Sequence, residues 1–168
     1  MASNSSFDVT TGVDLMEVHN AVDQATKEIT QRYDFKGVKA EIALDPKEKR
    51  ITLAAPDEYK LTAIWDVLQS KLVKRKVPLK NVKPGKAEPA AAGALRQTIE
   101  LQQGLTSEMC RDVVRVLKEA KLKRVQAAIQ GDAVRISSPS KDDLQGAIAL
   151  LRQHDFGAEL KFENFRTN

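Results

Sequence analysis

"AAPDEYKLTAIWDVL", Ala54–Leu68, lies over "SSPSKDDLQGAIALL", Ser137–Leu151, at a constant offset. Pro56 falls on Pro139, Leu61 on Leu144, Trp65 on Ile148 and Leu68 on Leu151. The same offset carries on to Leu79 and Val82, which fall on Phe162 and Phe165. Upstream, at a different offset, Val18, Val22 and Ala25 fall on Cys110, Val114 and Leu117. A chain that repeats its apolar order encodes one foldable unit twice. Each copy holds roughly 75 residues, near the lower end of what folds alone.

Periodicity gives the elements of each copy. Phe7–Thr11 alternates apolar and polar, as a short strand does. Asp14–Gln31 reads as a helix with Leu15, Val18, Val22, Ala25 and Ile29 in one stripe, and Asp14 and Glu17 stand at capping-box spacing. Val38–Leu44 alternates, Asp45-Pro46-Lys47-Glu48 makes a turn, and Arg50–Ala55 returns as a strand. Asp57–Lys74 is a second helix with Leu61, Ile64, Trp65, Leu68 and Leu72 on its apolar side, and Val77–Val82 is expected to close the unit as a strand. Lys83–Ala94, rich in Pro, Gly and Ala, is expected as a linker. The order then recurs in strand Leu95–Leu101, helix Thr106–Ala120, hairpin Val125–Ser137, helix Lys141–Gln153 and strand Glu159–Phe165. The expected class is α+β, with two tandem ferredoxin-like (βαββαβ) domains, each a four-stranded antiparallel sheet with two helices on one face. Expected boundaries are 1–90 and 91–168, with 83–94 as linker.

Composition excludes several classes. No run approaches the roughly 20 apolar residues that cross a bilayer. The start, "MASNSSFDVTTGVD", has neither a positive region nor an apolar core, so a signal peptide is not expected and cytoplasmic residence is. The single cysteine, Cys110, lies on a helical stripe opposite Val18 and reads as a small core residue. With one cysteine and two distant histidines, His19 and His154, no metal site is expected. Walker A, G-x-G-x-x-G and G-x-S-x-G patterns are absent from the sequence, and Asp142-Asp143 suits a first helical turn rather than acid–base work. No enzyme activity and no cofactor are expected.

Three groups of residues remain as binding candidates. The net charge of +4 is unevenly spread, because Lys71, Lys74, Arg75, Lys76, Lys80, Lys83 and Lys86 follow one another with no acidic residue between Asp66 and Glu88. Lys74, Arg75, Lys76 and Lys80 form a candidate phosphate lip, and the competing account is a solvated face that complements the helix dipole. Lys118, Lys121, Lys123 and Arg124 end the first helix of the second copy in a similar way. "QRYDFKGVK", Gln31–Lys39, interleaves aromatic and basic residues, with Arg32, Tyr33, Phe35 and Lys36 as candidates for base stacking and phosphate contact. The competing account caps the core with Tyr33 and Phe35, and it is the favoured one for Phe35. Base stacking on the sheet, as in RNA-recognition modules, is not supported, since "RITLAA" and "AVRISS" contain no aromatic residue.

"SSFDV", "VDLMEVHNAVDQATKEITQRYDFK", "LRQTIELQQGL", "KLKRVQAAIQGD", "VRISSPSKDDLQGAIALL" and "DFGAELKFENFR" resemble, in this order and over nearly the whole chain, the YajQ-like family of bacterial nucleotide-binding proteins. The resemblance implies that the first strands are exchanged, strand 5–11 pairing into the second sheet and strand 95–101 into the first. It implies a non-enzymatic regulatory protein that binds a purine nucleotide, with cyclic di-GMP a candidate, and that acts through a transcription-factor partner. RNA or tRNA binding through basic helix ends is the alternative. Arg32, Tyr33, Asp34, Phe35, Lys36, Lys121, Lys123 and Gln130 match family motif positions. The chain departs from the pattern at Pro139-Ser140-Lys141, at Arg124, and at Lys76, where a glycine is usual.

Overall fold

Residues 4–167 are described by a computed structural model, in which contacts separate two units. One is continuous, Val13–Gln102, and the other is composite, joining residues 4–12 to 103–167. In chain order the elements are β1 (Ser5–Thr11), α1 (Leu15–Gln31), β2 (Glu41–Asp45), β3 (Arg50–Ala55), α2 (Glu58–Lys74), β4 (Val82–Pro84), β5 (Glu88–Pro89) and β6 (Leu95–Leu101). Then follow α3 (Ser107–Glu119), β7 (Gln126–Gln130), β8 (Ala133–Ser138), α4 (Lys141–Gln153) and β9 (Leu160–Thr167).

Each helix begins on a polar cap. The side chains of Asp14, Asp57, Thr106 and Ser140 accept from the amides of Met16, Lys60, Met109 and Asp143. Such a cap is worth about 1 kcal/mol. Glu17 does not complete the box with Asp14; it accepts from the Asn20 side chain and lies 3.5 Å from Arg75.

The continuous unit orders its antiparallel sheet β2-β3-β6-β4, with β5 also pairing to β6. The composite unit orders its sheet β7-β8-β1-β9. β1 therefore lies between β8 and β9, with Val9 opposite Val134 on one side and Phe162 on the other. β6 lies between β3 and β4, with Ile99 opposite Ile51. Each sheet takes its inner strand from the other copy of the repeat. Both units are ferredoxin-like.

The core of the continuous unit packs Ile51, Leu53 and Ile99 under Val18, Ala25, Ile64 and Leu68. That of the composite unit packs Phe7, Val9, Val134 and Ile136 under Cys110, Val113, Leu144 and Leu151. Repeat partners mostly share their burial, since Val18 and Cys110, Leu61 and Leu144, and Leu68 and Leu151 are all core. Val114 departs: its partner Val22 is buried, whereas Val114 is only half-buried.

Two expected strands are shorter than their apolar patterns. Val77 donates its amide to Leu72 O, which ties it to the end of α2, and a 3-10 turn over Leu79–Asn81 follows Pro78. The strand thus starts at Val82, not at Val77. Val38 likewise donates to Phe35 O, so its ladder begins only at Glu41. Within the expected linker, β4 and β5 pair with β6 and Gly85 donates to Thr98 O.

Lys76 occupies a conformation better suited to glycine. Its φ is 60°, its amide donates to Val73 O, and the following Val77 amide reaches Leu72 O. These two bonds are the Schellman closure, whose left-handed position favours glycine. Lys76→Gly is expected to raise unfolding free energy by about 0.5–1 kcal/mol, less any dipole attraction the ammonium loses. Lys76→Ala, which removes the charge but keeps the strain, is expected to lower it slightly. Urea titrations of the three proteins give the comparison, and a loss of stability in the glycine variant would show that charge outweighs strain.

On the open face of the composite sheet, Asp8 joins three strands. Its carboxylate accepts from Arg135 Nε at 3.0 Å and from Asn164 Nδ2 at 2.7 Å. The Arg135 bond, helped by Asn164 and opposed by partial burial, holds the Asp8 carboxyl below the usual carboxylate range. A depressed carboxyl stabilises the fold above its unfolded pKa, and that contribution is lost as pH falls through the folded value. Asp8→Ala is expected to cost about 1–2 kcal/mol at neutral pH. It is also expected to flatten the decline in stability below about pH 4. Urea midpoints at neutral and acid pH, read from β1, β8 and β9 amides, measure both effects.

Candidate functional site

The end of α1 builds a small polar and aromatic platform. Arg32 closes the helix, its amide donating to Glu28 O and Ile29 O. Tyr33–Phe35 then makes a single 3-10 turn, and Gly37, at φ 71°, redirects the chain toward β2. A single tight turn sends neighbouring aromatic rings in opposite directions. Phe35 is 5% exposed and belongs to the core, whereas Tyr33 is 88% exposed. The core-capping account therefore holds for Phe35 and fails for Tyr33.

Arg32 is held along one edge. Its Nε and Nη2 donate to the two Asp34 carboxylate oxygens at 3.0 and 2.8 Å. This bond lowers the Asp34 carboxyl and raises the Arg32 guanidinium from their ordinary values. The Arg32 guanidinium carbon lies 5.4 Å from the Phe35 ring centre. Lys60 Nζ lies 4.8 Å from that ring and 6.0 Å from the Tyr59 ring, and it also donates to Asp34 O. Lys36 Nζ lies 6.0 Å from the Tyr33 ring.

The outer face of α2 completes the site. Glu58, Tyr59, Thr62, Ala63 and Asp66, with Arg32, line an open cleft of about 570 Å³. Tyr59 is 77% exposed. The chain has two tyrosines, and both stand out from this unit beside cations. Among the described residues Glu58 and Asp66 have no ion-pair partner, so their carboxylates are open acceptors. The platform offers exposed rings, a pre-oriented guanidinium plane, two ammonium groups and acceptors for N–H donors.

The remaining candidates fall elsewhere. Lys74, Arg75 and Lys76 end α2, and Lys80 lies in the turn beyond. A 17-residue helix is about 25 Å long, so this group is a helix length from Tyr59. Arg75 is engaged by Glu17. In the composite unit, Lys121 and Lys123 join Lys118 around a depression of about 520 Å³ lined also by Val114, Leu117 and Leu122. Arg124 turns away to Asp143 at 3.0 Å, and Gln130 is exposed at the hairpin tip. By element order, Arg32–Lys36 and Lys121–Arg124 occupy equivalent connections, first helix to hairpin, but only the former carries aromatic rings.

Tyr59, Lys60, Glu58 and Asp66 escaped the sequence reading, which took α2 for its apolar stripe alone. The usable signal was Tyr59 itself, an aromatic residue set between Glu58 and Lys60 and off that stripe. Among the described residues no cluster of His, Cys, Asp and Glu has metal-binding geometry, and no helix is long and apolar enough to cross a membrane.

Paired helices over an antiparallel sheet of this strand order, present twice, define a tandem ferredoxin-like protein. Residues 5–166 match the family described as nucleotide-binding protein YajQ-like, and the chain belongs to that family. A "Nucleotide-binding protein" of Solibacter usitatus is 51% identical over 165 residues, covering 98% of this chain and 99% of its own. Its namesake from Carboxydothermus hydrogenoformans is 51% identical over 166 residues, with 99% and 100% covered. One from Acidithiobacillus ferrooxidans is 50% identical over 161 residues, with 96% and 98% covered.

Proposed function

We propose that this chain is a non-enzymatic regulatory protein that binds a purine nucleotide on the continuous unit, at Arg32, Tyr33, Lys36 and Tyr59. The observation that carries the reading is the exposure of both tyrosines around an arginine whose edge is already tied down by Asp34. Exposed rings and a fixed guanidinium plane suit stacking on a nucleobase. Lys36 and Lys60 supply charge for phosphates. Glu58 and Asp66 favour guanine over adenine, because guanine presents N–H donors at N1 and N2 where adenine presents an acceptor at N1. Guanine nucleotides, cyclic di-GMP among them, are the favoured class. The names of the relatives, each a nucleotide-binding protein, support this reading. Regulation through a transcription-factor partner follows if that partner distinguishes the liganded from the free state.

Titration calorimetry with guanine and adenine nucleotides, including cyclic di-GMP, tests it. A guanine preference with weak salt dependence is the expected result. Absence of heat from every nucleotide at low salt would remove the reading. Tight RNA binding whose affinity falls steeply with salt would favour phosphate contacts by the scattered lysines instead.

A further inference from the structure

The two sheets have open edges, and these are not defended alike. β2 carries Glu41 and Asp45; β4 is a three-residue strand ending in Pro84; β9 carries Lys161, Glu163 and Arg166 and has a register shift against β1. Charges, prolines, short length and bulges are the devices that keep sheet edges from pairing with other chains. β7, "QAAIQ", has none of them. Its Ile129 is 49% exposed.

The backbone of β7 is aligned for pairing. Gln130 stands opposite Ala133 across the two-residue turn Gly131-Asp132, so this pair closes the hairpin. In such hairpins the closing pair is hydrogen-bonded and the pattern alternates along the strand. Gln130, Ala128 and Gln126 therefore bond to β8, while the N–H and C=O groups of Ala127 and Ile129 point to the open edge. Beside this edge, Ile129 and Val114 line an apolar groove of about 270 Å³ with Arg111, Arg115, Lys118 and Glu119. The exposure of Val114, whose repeat partner is buried, belongs to the same feature.

We propose that β7 is a docking edge for an extended segment of a partner protein, one whose side chains on the α3 side of the sheet are both apolar and acidic. Successive side chains of a strand point to opposite faces, so every second residue would face α3, an apolar one entering the groove at Val114 and Ile129 and acidic ones two residues away meeting Arg111 and Lys118. Charge selects this occupant. Arg111 and Lys118 line the groove, Lys121 and Lys123 line the depression that shares Val114 and Lys118 with it, and none of the four has an ion-pair partner among the described residues, whereas the Glu119 carboxylate is engaged by Arg115 at 3.4 Å. A second copy pairing through the same edge would set these four cations against their own images. An acidic strand neutralises them. Strand addition of this kind takes affinity from main-chain bonds and specificity from alternate side chains.

The probe is a fluorescently labelled synthetic peptide in which every second residue reads glutamate, valine, glutamate, with threonine at the positions between, compared with its lysine-for-glutamate counterpart, both titrated into the full chain. The acidic peptide is expected to bind and the basic one not. Ala127→Pro removes an outward donor without cutting a bond to β8, and Ile129→Lys places charge on the edge. Each is expected to weaken binding by at least about tenfold. Lys118→Glu is expected to shift preference toward the basic peptide. Circular dichroism of each variant confirms that the fold persists. Binding that survives Ala127→Pro, or equal binding of both peptides, would overturn the proposal. So would failure of both peptides to bind, whether or not a concentration-dependent dimer that Ala127→Pro abolishes shows that the edge serves self-association.

Discussion

Phe7→Ala is expected to destabilise the composite unit by about 3–5 kcal/mol. Phe7 is fully buried, sits opposite Ile136 across the ladder, and meets the Phe162 and Phe165 rings at 5.9 and 5.6 Å. Truncation removes the transfer energy of a ring, leaves a cavity and breaks both ring contacts. The location of the effect matters as much as its size. Phe7 stands early in the chain, but its packing partners come from β8, α4 and β9, so protection against hydrogen exchange is expected to fall there. Amides of β3 and α2 are expected to keep theirs, and Trp65, the single tryptophan, reports on that unit by fluorescence. Ile99→Ala is the reciprocal case. Ile99 is fully buried opposite Ile51, and its loss is expected to cost about 2–5 kcal/mol in the continuous unit. Loss of protection in β3 rather than β8 on changing Phe7 would contradict the strand exchange.

What the sequence revealed and what it hid have the same physical origin. Arg50–Ala55, Leu95–Leu101 and Lys141–Gln153 form over the residues their apolar patterns mark, because each buries one face and a slip would expose it. Periodicity tells which face of a strand is buried but not which strand lies beside it. The pairing of β1 with β8 and β9 was therefore legible only through family resemblance. Val77–Val82 alternates well enough to suggest a strand, but Val77 is spent on closing α2 and Pro78 lacks a donor, so the pattern had no ladder to join. Phe35 was favoured as a core residue and is one, but nothing in the sequence assigned a face to Tyr33, two positions away in a 3-10 turn and almost fully exposed. The basic run from Lys71 to Lys86 looked like one lip, yet Arg75 is engaged by Glu17 and Lys71 by Glu28, at 2.9 Å for the latter. Proximity in sequence did not tell which of these cations already have a carboxylate partner.

Tyr59→Ala is expected to weaken binding of a guanine nucleotide by roughly five- to 150-fold, the range given by losing one base–aromatic stack of about 1–3 kcal/mol. Tyr59→Phe, which keeps the ring, is expected to bind nearly as the parent does. Arg32→Lys is expected to fail almost as badly as Arg32→Ala, because an ammonium keeps the charge but has no plane to stack and no fork to fit Asp34. Asp34→Ala leaves Arg32 in place but frees its guanidinium, so a smaller loss is expected, borne mainly by ordering on binding. Glu58→Gln and Asp66→Asn test selectivity rather than affinity: the side chains keep their size and lose full acceptor character, and the preference for guanine over adenine is expected to narrow. Calorimetry on this series, with Lys121→Ala and Lys123→Ala alongside, locates the site. If the two composite-unit variants lose binding while Tyr59→Ala retains it, the nucleotide lies in the depression around Lys118 and the aromatic platform has another use. If Tyr59→Ala and Arg32→Lys lose binding together while the lysine variants keep it, stacking on the continuous unit, and not general positive charge, is what this chain uses to hold its ligand.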